Sequence, residues 1–227
     1  MHCVFHGIRF KVNKDWLSGI DSLLFLYTLL VFLPSASYIC TYYTIQQYSK
    51  TNIMSIKFRL TAMQFLQFFI WGAWLISLGG YMGGTLHFEG GQIGAIFATM
   101  GIASLIMPGL MGIIADKWIN AERLYGILHL IGAGALIYAS TATTYSHMYW
   151  AMLLNMLVYM PTLSLANTVS YNALEQYKLD LIKDFPPIRV WGTVGFICAM
   201  WAVDLTGFKT GPAQLYVAAI SAIFLGL

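Results

Sequence analysis

From Met54 onward the apolar residues fall into six runs separated by short polar joints, at about 61 to 86, 92 to 114, 122 to 142, 147 to 171, 187 to 206 and 212 to the end. Each is near the roughly 20 residues of helix that hydrocarbon requires, so the pattern predicts six membrane-spanning helices, an all-α integral membrane bundle. Composition agrees. Of 227 residues 59% are apolar and 9% charged, against roughly 25% charged in a soluble domain. So few charges cannot keep a globular surface wetted, and the lipid bilayer is the expected surroundings.

The charges report topology instead. Lys50, Lys57 and Arg59 precede the first run, Lys117 and Arg123 lie between the second and third, and Lys178 and Lys183 precede the fifth. The alternate joints, around His87 to Gly91 and Thr143 to His147, carry no Lys or Arg, and Lys209 alone breaks the pattern. By the positive-inside rule the bundle is N-inside, in three hairpins. Residues 1–53 are an extension that fits less simply. Leu23 to Leu33 is too short to span and Pro34 interrupts it, while Arg9, Lys11 and Lys14 on its near side would frustrate a single crossing. A signal peptide, with Pro34 to Ser37 as the small-residue cleavage site, and a translation start upstream of the natural one at Met54 are the two readings. The last run is expected to be cut short within the sixth helix.

A formal charge of +3, carried by scattered residues with no basic stripe, excludes a nucleic-acid partner. Cys3, Cys40 and Cys198 stand far apart without metal-ligand or disulfide spacing, and Cys198 is expected to be a small packing residue. There is no phosphate loop, nucleophile elbow or zinc-protease helix, so no metal, cofactor or enzymatic activity is expected.

Candidate chemistry lies on helix faces. In the first run Gln64, Gln67, Trp71 and Trp74 share one stripe, which the cost of polar groups in lipid should turn inward, either to bond other helices or to line a cavity. In the fourth, Asn155, Tyr159 and Thr162 form a second stripe, and Pro161 is expected to kink the helix. His129 is a lone polar group, expected to pack rather than relay protons. Asp184 or Phe185 should cap the fifth helix, with Pro186 and Pro187 in its first turn. Arg189, Thr193, Phe196 and Met200 then share one face, with Gly192, Gly195 and Ala199 opposite for close packing. Spacing leaves Arg189 two roles, snorkelling to headgroups or binding a solute rich in carbonyls and hydroxyls while Phe196 stacks on a planar base.

Between the second and third runs Gly112-Ile-Ile-Ala-Asp116-Lys117 resembles the cytoplasmic signature motif of the major facilitator superfamily, with Ile119 at its second glycine and Asn120-Ala121 at its basic pair. Gly112 is expected to allow close helix approach, and Asp116 and Lys117 to serve a cytoplasmic gate. Taken together, FLQFFIWGAWLISLGGYM, IADKWINAERLYGILHLIGA, YMPTLSLANTVSY and DFPPIRVWGTVGFICAMWAV resemble the nucleoside:proton symporters of that superfamily, from about Met54 to Leu227. The resemblance implies the N-terminal six-helix bundle of a bacterial inner-membrane transporter that carries nucleosides with protons by alternating access. It further implies that Arg189, Thr193 and Phe196 bind the nucleoside and that a second half completes the site; from the two polar stripes, Gln64, Gln67, Trp71, Asn155 and Tyr159 are possible cavity-lining residues. No carboxylate falls at the centre of a span, so the proton-coupling acid is expected in that second half, and this chain is expected to be inactive alone. Carriage of another polar solute such as a sugar, or binding without transport, are the alternatives.

Overall fold

The computed structural model describes residues 53–227, so Leu23 to Leu33, the Pro34 to Ser37 segment, Cys3 and Cys40 lie outside the described residues. The helices are α1 (Ile53–Gly84), α2 (Gly90–Lys117), α3 (Ala121–Ser140), α4 (Tyr145–Gln176), α5 (Leu181–Leu205) and α6 (Ala213–Gly226). The first five are long and apolar enough to cross a membrane, and α6 is a shorter apolar helix of 14 residues. A turn at Leu75 to Ser77 interrupts α1 near its end.

Several helices outrun the apolar runs that announced them. Hydropathy registers only the hydrocarbon-facing part, whereas backbone hydrogen bonding continues until a cap stops it. At the start of α4 the Thr144 hydroxyl accepts from the His147 N–H, and at the start of α2 Glu89 and Gln92 form a reciprocal capping box. The start of α5 differs in its cap as well. Its cap is Asp180, whose carboxylate accepts from the Ile182 N–H at 3.0 Å, not Asp184 or Phe185. Pro186 and Pro187 therefore sit inside the helix. The carbonyls they deprive of donors, on Ile182 and Lys183, belong to exposed residues, where water can replace the missing N–H. In α4 the helix likewise runs through Pro161 without interruption.

The bundle is built around α4, which packs along α2 and α3, while α3 also packs along α6. Its main core joins Ile70, Trp74 and Leu78 of α1, Leu136 of α3, Met148, Met152 and Met156 of α4, and Leu215 of α6. Lipid tails are as apolar as these side chains, so close fit and interhelical hydrogen bonds must hold the helices together. Of their apolar windows α4 buries 61% but α5 only 28% and α2 only 17%, which leaves α2 and α5 with broad uncovered faces. Cys198 stands exposed on α5, since the residue that packs inward there is its neighbour Ala199; the expected packing role falls to the alanine.

At one end Lys57 of α1 donates to the Asp184 carboxylate of α5 at 2.7 Å. At the other, Lys209, the exception to the loop-charge pattern, is paired with Asp204 at 2.5 Å. Ser77 in the α1 turn donates to Gln214 Oε1 at 2.6 Å, and the Gln214 amide donates to the carbonyls of Lys209 and Gly211, so the α1 turn and the start of α6 are joined by a buried amide.

Candidate functional site

The two polar stripes read from the sequence meet inside the bundle. Gln67 is fully buried, and its amide orientation follows from its neighbours. The Thr162 hydroxyl spends its single proton on the Tyr159 carbonyl at 2.6 Å, so toward Gln67 it can only accept, from Nε2 at 2.8 Å. That turns Oε1 toward the Tyr125 hydroxyl at 2.6 Å and His129 Nε2 at 2.9 Å, both of which donate to it. Tyr159 also donates its hydroxyl to the Gln67 backbone carbonyl. One turn away, Gln64 donates to the Ser170 hydroxyl at 3.2 Å and the Ala166 carbonyl at 3.4 Å. Gln64, Gln67, Asn155 and Tyr159 are thus enclosed by this bundle itself, and the interhelical-bonding role left open for them is the one seen for Gln64, Gln67 and Tyr159. Asn155 differs: it is buried beside Gly132 of α3, yet neither atom of its amide has a partner among the described residues.

The α1–α5 contact has another character. Gly192, Gly195 and Ala199 face α1 and are buried, as their spacing predicted. A Cβ on Gly195 would fall on the Phe65 carbonyl oxygen, and one on Gly72 would fall on the Phe196 carbonyl oxygen. The two backbones therefore touch where only glycine fits, which carries the other face of α5 outward. On that face Arg189 and Phe196 are half-buried and Thr193 is exposed. The guanidinium carbon of Arg189 lies 4.0 Å from the centre of the Phe68 ring. Phe68 approaches Trp71 at 6.2 Å between centroids, and Trp71 meets Phe196 edge-on at 6.2 Å. The Trp71 indole N–H is buried without a partner among the described residues. No ion pair or hydrogen bond among those residues uses the donors of Arg189.

Arg189, Thr193, Phe196 and Trp71 thus come together on an open face, while Gln64, Gln67, Asn155 and Tyr159 lie behind it. Gly112, Asp116 and Lys117 occupy the end of α2, where a Cβ on Gly112 would meet nothing within 4 Å; the close approach expected there is absent among the described residues because that side of α2 is uncovered. Farther along α5, Met200 and Asp204 join Ile76, Ser77 and Gly80 of α1 to line a cleft of about 510 Å³. Sequence reasoning missed Phe68, Tyr125 and Gln214, although Tyr125 and His129 stand four residues apart on one face of α3, a spacing that could have flagged them.

A multi-pass helical bundle with a hydrogen-bonded polar interior and one open face of cation, hydroxyl and rings has the build of half a membrane transporter. The family model described as nucleoside H+ symporter matches residues 54–227, and the chain belongs to this family, within the major facilitator superfamily. It is 54% identical over 172 residues to the xanthosine permease of Escherichia coli (strain K12), covering 76% of this chain and 41% of the permease. With the nucleoside permease NupG of the same organism it shares 50% over 173 residues, again 76% and 41% of the two chains. The crystal structure of nucleoside transporter NupG matches with a TM-score of 0.74 at 48% identity, over 75% of this chain and 42% of that one. The chain therefore spans well under half the length of these relatives.

Proposed function

We propose that this chain forms the N-terminal half of a proton-coupled nucleoside transporter of a bacterial inner membrane, with the α5 face as one wall of the nucleoside site. The observation that carries this reading is the state of Arg189: a fixed cation, on an open aromatic face, whose donors are unspent among the described residues. Such donors suit the carbonyls of a base or the hydroxyls of a ribose, Thr193 adds a hydroxyl that can give or take a hydrogen bond, and Phe196 offers a ring for stacking. Asp116, Glu175, Asp180 and Asp184 sit at one end of their helices and Asp204 at the other, so none is placed at mid-membrane depth to carry a proton. The coupling acid is then assigned to the part of the relatives' length that this chain does not span. Alternating access rocks two such bundles about a shared site, with Gly112, Asp116 and Lys117 at the cytoplasmic gate against the partner bundle.

The test is uptake of labelled uridine in cells lacking their own permeases, expressing this chain joined to the remaining part of NupG. Uptake that collapses with the proton gradient and is inhibited by unlabelled nucleosides supports the reading. Uptake inhibited by sugars but not nucleosides overturns it. Vesicles containing this chain alone are expected to show no gradient-driven accumulation.

A further inference from the structure

We propose that Phe68 is the positioning residue for Arg189, its ring holding the guanidinium through a notch that glycine at position 192 leaves open. The inference rests on the reading of Arg189 as a nucleoside ligand, and adds to it a residue on another helix.

Three observations converge. The guanidinium carbon is 4.0 Å from the Phe68 ring centre, within the range of a cation–π contact. A Cβ on Gly192 would lie 2.6 Å from Phe68 Cδ2 and 2.9 Å from Arg189 Nη1, so any side chain there would wedge between ring and cation. No carboxylate among the described residues pairs with this cation: the ion pairs there are Lys57–Asp184, Lys183–Asp180 and Lys209–Asp204.

The choice of a ring over a carboxylate matters chemically. A carboxylate binds a guanidinium along its edge and consumes the N–H donors. A ring takes the face of the planar group and leaves the donors, which all lie in that plane, available for a solute. Phe68 is braced in turn by Trp71, and Trp71 meets Phe196. Arg189 and Phe196 are seven residues apart on α5, about 10 Å along the helix, and two neighbouring rings of α1 thus fix both ends of the candidate site.

The test separates position from binding. In the complete chain reconstituted in nanodiscs, the rate of phenylglyoxal modification of Arg189 is followed by mass spectrometry, with Arg59 and Arg123 as internal references. Phe68→Leu and Gly192→Ala are each expected to speed modification of Arg189 several-fold while the references stay unchanged, and Phe68→Tyr, which keeps the ring, is expected to match the parent. In the joined transporter, Phe68→Leu is expected to raise the KM for uridine roughly 2- to 30-fold, the range of a cation–π contact, at unchanged maximal rate and surface abundance, and Phe68→Tyr to restore it. Unchanged Arg189 reactivity in Phe68→Leu overturns the positioning role. If Phe68→Leu fails to reach the membrane, Gly192→Ala decides by the same two readouts. Faster modification with an unchanged KM overturns the role in solute binding, and with it the reading of Arg189; a KM that rises further when Phe68→Leu is added to Arg189→Ala shows Phe68 touching solute itself and overturns the proposal.

Discussion

Gln67 and Arg189 are both polar side chains on apolar helices, and the structure treats them in opposite ways. Gln67 sits where α1, α3 and α4 converge and spends both ends of its amide on Tyr125, His129 and Thr162. Arg189 lies on the α1–α5 side with its guanidinium carbon 4.0 Å from the centre of the Phe68 ring and no bonded partner for its donors among the described residues. A polar group in lipid is costly until satisfied, whether by the protein or by something the protein binds. Satisfaction, more than polarity, separates an interior that holds helices together from a face that keeps donors free, as the proposed solute site requires.

The largest effect expected from breaking this contrast is that of Arg189→Ala. Loss of a hydrogen bond to a charged group costs about 1.5 to 3 kcal/mol, roughly 10- to 150-fold in affinity. The KM for uridine in the joined transporter should rise by that factor while the protein still reaches the membrane; an unchanged KM would return Arg189 to headgroup snorkelling. Gln67→Leu should do the reverse. It strips partners from three buried groups, so thermal unfolding in detergent should register a loss of about 1 to 3 kcal/mol, while the folded fraction keeps the parent's KM. Equal losses of affinity in both variants would erase the distinction.

A smaller effect sharpens the comparison within the open face. Phe196→Leu keeps bulk but loses the ring, and aromatic contacts contribute about 0.5 to 1.5 kcal/mol beyond their area, or roughly 2- to 12-fold. Competition assays should show that loss for planar bases and not for free ribose. The smallest perturbation concerns orientation alone: Lys117→Cys and Lys183→Cys should resist an impermeant thiol reagent added outside, and Gly90→Cys should react. All three native side chains or backbones are exposed at helix ends, so access across the membrane and not burial decides the result.

The helix count and the α5 face were legible because each rests on a period. Apolar runs of membrane length announce spans, and Arg189, Thr193 and Phe196 align at 3.6 residues per turn whatever surrounds them. The start of α5 was misplaced because Pro186-Pro187 is a strong local signal for a first turn, yet the Asp180 cap outweighs it. The stripe of Gln64, Gln67, Trp71 and Trp74 was legible as a line but not as a set of destinations. Its members meet different neighbours: Gln64 bonds to α4, Gln67 to α3 and α4, Trp71 turns to Phe196 of α5, and Trp74 enters the main core. Phe68 escaped because a phenylalanine in an apolar run carries no sign of the cation it stacks on; only the distance to α5 reveals it.

The contact between α1 and α5 also sets an order of assembly. Lys57 and Asp184 are 127 residues apart in the chain, whereas Gln67 is 58 residues from Tyr125 and 95 from Thr162. At about 5 to 20 residues per second of synthesis, α3 follows the first helix by roughly 3 to 12 s and α5 by roughly 6 to 25 s. The hydrogen-bonded interior can therefore close around Gln67 while the ribosome is still extending the chain. Until α5 arrives, the glycine of α1 at position 72 and the ring of Phe68 wait without their partners. The face that carries Arg189 is put in place after that interior, with α6 alone of the described helices still to come, so a nascent chain acquires its hydrogen-bonded interior before the face proposed for the solute.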